Sequence, residues 1–550
     1  MLDLLITADR ILTLDPERPE ARRMGVLGGR IVGFDEHVDG LEARSTESFP
    51  GRTIVPGFID AHCHTTWWGL GLNGAPVAAA RGLEEFYDVL RAEVAKLDED
   101  EWVYGIGFNE RHHGGAIPDL ATVDEITGSR PMYIRNESGH SALTNTATLR
   151  RIGAFAEDYR DPEGGALVRD AAGRYTGLVE ETAQSLLQAL LVPYSQERIV
   201  AALDTATAKY AEQGITSFAE AGVGGGWIGH SPVEIAAYQA AKEQGRLHAR
   251  AQLMPAIDAV QPISGNAEDF AGEGSGAGFT LGVRTGFGDA RLSLGPVKVF
   301  TDGSLLGATA AVTESFCGHE HNLGYLQASP EELREQVRAV YRAGWRIAVH
   351  AIGDAAIDLA LDLIEECQEA YGMPTPVAGE HAPNRVEHFG IARPDQIERA
   401  ARLRIAVTPQ HGFIRTFGSR MVERVGEGRR ALLYRGKRLA EAGVVVAGSS
   451  DSPVVDNNVR DAMQAAVERI ADDGSVIGEG EGFTREEALR LYTEWGARAT
   501  GQLADRGTLS PGKLADFVVL DRSPLKAEHL GELRIEATFM GGDATYDARG

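Results

Sequence analysis

The stretch Pro56-Gly57-Phe58-Ile59-Asp60-Ala61-His62-Cys63-His64 decides the fold. The apolar run from Thr53 to Ile59 has the length of a strand and ends in two histidines spaced i, i+2. Side chains alternate faces along a strand, so both imidazoles fall on one face, with Asp60 beside them. Two neutral imidazoles and a carboxylate on one face suit a divalent metal such as zinc. Alone, the pair fits equally well a strand that happens to end in histidine. The rest of the chain weighs against that, because further candidate ligands also close apolar runs.

Eight runs of strand length alternate with helical patterns: Ile54–His62, Ile215–Glu220, His248–Met254, Leu294–Phe300, Arg346–His350, Arg385–His388, Arg404–Thr408 and Val444–Asp451. Such alternation is the signature of βαβ units and a parallel sheet. The helices are well marked. Ser329-Pro330-Glu331-Glu332 opens one with a capping pattern and proline at the first helical position. Leu333, Val337, Val340 and Tyr341 then mark one face, and Gly344 ends it. Thr484-Arg485-Glu486-Glu487 opens another in the same way. Eight parallel strands with intervening helices close most naturally as an α/β (β/α)8 TIM-type barrel, whose sites lie at the C-terminal ends of the strands.

Polar residues stand at those ends. His62 and His64 close the first run, Lys298 interrupts the apolar run Leu294–Phe300, His350 and His388 close two more, and Asp451 follows Val444–Ser450. Each has an ordinary explanation of its own: a satisfied core histidine, a lysine whose head reaches the rim, an aspartate capping a helix. Six such groups at the same end of successive strands are much rarer by chance than any one of them, and the set reads as a metal centre.

The remaining sequence frames the barrel. Residues 2–7 and 24–34 read as strands, with Gly28-Gly29 as a hairpin turn. Asp516–Asp521 and Arg534–Met540 match them at the other end of the chain, with Gly541-Gly542 as a turn. A small β-sandwich domain built from both termini, 1–56 plus 500–550, is therefore expected around a barrel spanning 57–499. Residues 63–214 are too long for an ordinary connection. They contain a strand-like run of their own, Pro131–Arg135, so an inserted subdomain over 70–195 is expected after the first barrel strand.

The 550 residues carry 43% hydrophobic and 24% charged residues, as in globular proteins. A formal net charge of −26 argues against nucleic acid or an anionic membrane as partner. Asp3 stands where a signal peptide needs basic residues, and no stretch approaches a membrane span. Three scattered cysteines make no disulfide framework. A cytoplasmic location is expected.

The motifs resemble those of the amidohydrolase superfamily, within it amidohydrolase family 3, the YtcJ-like metal-dependent hydrolases that include N-substituted formamide deformylase. The resemblance covers nearly the whole chain. It rests on Pro56–His64, Ser138-Gly139-His140-Ser141-Ala142, Gly214-Ile215-Thr216-Ser217, Val297–Ser304, His350–Ala356, Arg385–His388, Gly448–Pro453 and Gly507–Asp516. It implies two divalent metal ions, with zinc the first choice and manganese, iron and cobalt tolerated by such sites. His62 and His64 would hold the more buried ion together with Asp451, and His350 and His388 the second. Lys298 would carry a carbamate that bridges both, because a free ammonium beside two dications would be repelled. A metal-activated hydroxide would attack, one ion would polarise the scissile carbonyl, and Asp451 would carry the proton to the leaving nitrogen.

Other candidates follow. His140 is a candidate for contacting substrate or the oxyanion, against a structural role in the inserted subdomain. Trp67 and Trp68 are expected to wall the pocket, unless they pack the barrel against the insertion. His411 follows Pro409-Gln410, where the family usually has Gln-Pro, so it is a candidate pocket residue or a loop histidine. Asp302 either orients Lys298 or a ligand histidine, within reach of substrate, or caps a turn. Cys63 is expected in the core, facing away from its histidine neighbours.

The reaction this implies is cleavage of a C–N bond, of amide or formamide type, in an uncharged, partly hydrophobic small molecule. The rivals are a deaminase of a ring amidine, which usually manages with one metal and no bridging lysine, and an esterase or lactonase on the same site. A non-catalytic scaffold is disfavoured, because all six ligand positions are occupied. The superfamily often forms dimers, so a homodimer is compatible with the reading.

Overall fold

The computed structural model describes residues 1–136, 141–162, 165–181, 183–225, 228–373 and 383–549. The fold is mixed α/β. The chain forms two compact units, residues 1–65 with 207–550, and residues 66–206.

In the larger unit, strands from both ends of the chain make one seven-stranded sheet. Its order is Asp543–Asp547, Ile535–Met540, Phe517–Leu520, Ala43–Pro56, Leu2–Leu12, Glu20–Leu27 and Arg30–Phe34. The first strand buries Leu2, Leu4, Ile6 and Ala8, every second residue, as a half-buried strand must. These apolar faces meet in one core, in which Phe517 stacks on Phe539 with ring centroids 4.5 Å apart and both sit with Ile6, Met24 and Ile54.

Two parallel sheets and an antiparallel pair, Gln261–Ser264 with Ser275–Gly278, complete the strands of this unit among the described residues. One parallel sheet has the order Leu292–Leu294, Arg250–Pro255, Ile215–Val223 and Phe58–Cys63. The other runs Val297–Phe300, Ile347–Ala351, Arg385–His388, Ala406–Thr408 and Val445–Val446. Ile215–Val223 is buried at every position, as expected of a parallel strand covered on both faces. Hydrogen bonds also join the two sheets. Ala61 N–H donates to the Gly448 carbonyl (3.2 Å) and Asp451 N–H to the His62 carbonyl (2.8 Å). Ala256 and Lys298 form a parallel bridge at the other side.

Two of the eight expected strands are each divided in the structure. The run Ile54–His62 is split at Gly57: Ala43–Pro56 belongs to the seven-stranded sheet, Phe58–Cys63 to a parallel one. A Cβ at position 57 would lie 2.2 Å from Thr216 Oγ1, so only glycine permits the crossing there. The run Leu294–Phe300 is split at Gly295-Pro296, and the chain steps from one parallel sheet to the other. Proline supplies no ladder donor, which ends pairing at that point. The run Val444–Asp451 keeps only Val445–Val446 as strand.

The helix Pro330–Arg342 starts on Ser329, whose side chain accepts from Glu332 N–H, and buries Leu333, Val337, Val340 and Tyr341. Thr484 and Glu487 form a reciprocal capping box on Arg485–Leu491. The smaller unit holds a five-stranded sheet ordered Val103–Phe108, Met132–Asn136, Ser141–Thr144, Tyr175–Glu181 and Gly165–Arg169. Phe86, Leu90, Phe108, Met132 and Ile134 are among its core residues. Among the described residues, no helix is long and apolar enough to cross a membrane.

Candidate metal centre

His62 lies in the last turn of pleat of Phe58–Cys63 and is fully buried. Its Nδ1 is hydrogen-bonded to the Glu387 carboxylate. That carboxylate also accepts from Arg385 Nε and Nη2, each at 2.8 Å, and from Thr408 Oγ1 at 2.7 Å. Burial pushes Glu387 up, but the Arg385 guanidinium and His62 outweigh it and hold the carboxyl well below its usual range. Glu387 is therefore an acceptor, and His62 donates from Nδ1. The Nε2 lone pair then points 3.3 Å from Asp451 Oδ1.

His64 Nε2 lies 3.0 Å from the same Oδ1. Asp451 sits in the left-handed region, at φ 59°, with its N–H on the His62 carbonyl. The strand end therefore turns inward and presents the carboxylate between two imidazoles. Burial lowers His64 to about 4 and so favours the neutral ring. Neutral imidazoles aimed at a carboxylate bring lone pairs together, and a divalent cation among them resolves the repulsion. Three converging N and O donors of this kind could hold a divalent metal ion.

Two further imidazoles adjoin. The His388 ring lies 4.9 Å from His62 and 4.4 Å from His350, centroid to centroid. His388 Nδ1 donates to Gln410 Oε1 (2.7 Å), and Gln410 Nε2 is fixed by the Thr408 carbonyl and Ser449 Oγ. Burial, with His350 nearby, keeps His388 far below its ordinary value. His350 Nε2 lies 3.1 Å from the Gly303 carbonyl and 3.3 Å from Asp302 Oδ1, which leaves Nδ1 as its lone-pair atom.

Lys298 is 1% exposed, and among the described residues its Nζ has no hydrogen-bond partner. The amine stands 4.5 Å over the Phe300 ring. Burial pushes it down to about 8, with Glu387 and Asp451 opposing.

The sequence profile of the amidohydrolase family matches residues 50–546. The chain belongs to the amidohydrolase family. It is accordingly a hydrolase of carbon–nitrogen bonds. It is 28% identical over 567 residues to the N-substituted formamide deformylase of Arthrobacter pascens, covering 100% of this chain and 99% of that one. It is 28% identical over 514 residues to the protein YtcJ of Bacillus subtilis (strain 168), covering 91% and 90%. Its fold is similar to that of an uncharacterized metal-dependent hydrolase from Pyrococcus horikoshii OT3, with a TM-score of 0.76 at 23% identity, over 96% of this chain and 99% of the other.

The remaining candidates of this amidohydrolase fall as follows. Asp302 is buried behind His350 and accepts the N–H groups of Ala311, Ile352 and Gly353. His411 is buried at the start of helix His411–Val425, with its ring 5.4 Å from Phe483, and burial lowers it to about 3. Gln410, not His411, is what reaches a candidate ligand. Trp67 and Trp68 are half-buried on helix Thr65–Leu72, and the Arg135 guanidinium lies 4.6 Å over the Trp67 ring. His140 lies outside the described residues. Cys63 is buried, with Sγ 3.6 Å from the Ala219 carbonyl, and burial raises its thiol well above the ordinary value.

Glu387 and Gln410 hydrogen-bond the candidate ligands His62 and His388, and reasoning from the sequence passed over both. A signal for the first was present: Arg385 and Glu387 place opposite charges two apart in an apolar strand, and a buried charge must be paired. Glu387→Gln is expected to weaken zinc binding at the His62 site by roughly ten- to a hundredfold, because carboxylate partners fix the tautomer of a ligand histidine. Competition with a chromophoric chelator measures it; unchanged affinity would remove Glu387 from the site.

Proposed function

We propose that the protein is a binuclear metal-dependent amidohydrolase that cleaves the C–N bond of a small, uncharged amide of the N-substituted formamide type. The observation that carries this reading is the convergence of His62 Nε2, His64 Nε2 and Asp451 Oδ1. The two parallel sheets are read as one (β/α)8 barrel, with these groups at the C-terminal ends of its strands. His62, His64 and Asp451 would hold one divalent ion, zinc by the chemistry of the donors, and His350 and His388 would hold a second. Lys298, once its neutral amine had added to carbon dioxide and lost a proton, would supply an anionic carbamate as a further ligand.

The ions supply Lewis acidity toward the carbonyl and a lowered pKa for the attacking water. Glu387 and Gln410 hold His62 and His388 with Nε2 free for ligation, and Asp302 does the same for His350 through the opposite nitrogen. Asp451 accepts the proton of the attacking water at its carboxylate and delivers it to the amide nitrogen as the C–N bond breaks, so that formate or another acid and an amine leave. The similarity over full length to a protein named for deformylating N-substituted formamides supports the substrate class.

The test is a hydrolysis screen of N-formyl and N-acyl amines with metal analysis of the same sample. Formate release from at least one N-substituted formamide, lost on chelation and restored by zinc, is the expected result. Turnover of ring amidines or lactones alone would replace the proposed substrate class.

A further inference from the structure

The strand that bears His62 also bears Asp60, two residues earlier and on the same face. Asp60 is 1% exposed, and its carboxylate is hydrogen-bonded to backbone and hydroxyl groups. Its Oδ1 accepts from Ser450 N–H at 3.0 Å and His62 N–H at 3.3 Å, and its Oδ2 accepts from Ser450 Oγ at 2.6 Å. The same Ser450 Oγ accepts from Ser452 N–H at 2.9 Å. Both chain neighbours of Asp451 are thus tied, directly or through one hydroxyl, to a single buried carboxylate.

What lies between the two ties is strained. Asp451 adopts φ 59°, in the left-handed region, which a residue with a Cβ adopts rarely and holds only where the surroundings impose it. The same conformation turns the Asp451 carboxylate toward His62 and His64. We infer that Asp60 is a positioning residue that, through Ser450, holds the backbone of Asp451 in the strained turn and so places its carboxylate at the metal centre. The inference rests on the metal reading above.

The test uses the full chain, stripped of metal and reloaded with cobalt(II), whose visible absorption reports the ligand set. Asp60→Asn is expected to weaken cobalt binding roughly ten- to a hundredfold and to alter the absorption bands. Ser450→Ala should shift both in the same direction, and the double variant should do little more than the stronger single one, because the two residues act as one unit. A variant with wild-type affinity and spectrum, whatever its melting temperature, overturns the inference, as do strictly additive losses. Should Asp60→Asn fail to fold, Ser450→Ala, which removes only a hydroxyl, decides by the same two readouts. A wild-type chain that binds no cobalt overturns the metal reading and this inference with it, whereas a wild type that binds and variants that bind alike overturn this inference alone.

Discussion

Asp451→Asn is expected to lower kcat by about two to four powers of ten, the usual worth of a positioned proton carrier, while much of the metal stays bound. The amide oxygen of asparagine can still face His62 and His64, but it cannot take up a proton near neutral pH. Burial pushes the Asp451 carboxyl up, yet the imidazoles of His62, His64 and His388 around it hold it well below its usual range. The group is therefore ionised and ready to accept a proton at any physiological pH. Steady-state kinetics on a substrate from the screen, with metal analysis of the same variant, checks both halves. Loss of metal in parallel with activity would make Asp451 a ligand only; full activity would remove it from the mechanism.

The second large effect is expected at Lys298. Lys298→Met should reduce the metal content from two ions per chain to one and cost about a hundredfold or more in activity, because methionine can form no carbamate. In the metal-free protein the sign reverses: replacing a buried, unpartnered amine by an apolar chain of similar length should leave stability unchanged or raise it. The pH dependence has a definite direction as well. Carbamate forms from the uncharged amine, and burial places Lys298 at about 8. Loading with labelled bicarbonate should rise with pH through about 8 and then level off, with a carbon-13 carbamate signal in the wild type and none in the variant. A variant that keeps two ions and full activity would exclude the bridge.

Much of this site is legible in the sequence because its residues end strands. Period-two alternation puts His62 and His64 on one face, and apolar runs mark where Lys298, His350, His388 and Asp451 must stand. Alternation does not say which sheet a run belongs to, and so the division of 54–62 at Gly57 and of 294–300 at Gly295-Pro296 emerges only when the backbones are placed. Nor does it survive a left-handed turn: His388 and Asp451 both have positive φ, at 70° and 59°, and their side chains point where strand geometry would not send them. The supporting groups are the least legible. Glu387 reaches His62 across 325 residues of chain, and Asp60 reaches Ser450 across 390, separations at which nothing local in the sequence announces a partner. His411 shows the converse, since a histidine beside a site motif is turned into an aromatic packing contact by the helix it begins.

The central claim is that six side chains from position 62 to position 451 surround two cations. Anomalous diffraction at the zinc edge, from crystals of the protein grown with zinc and bicarbonate, tests it most directly. The account predicts two peaks: one about 2.0–2.2 Å from His62 Nε2, His64 Nε2 and an Asp451 oxygen, the other at the same range from His350 and His388, with the modified Lys298 reaching both. Peaks elsewhere on the chain, or none among these residues at saturating zinc, would contradict it.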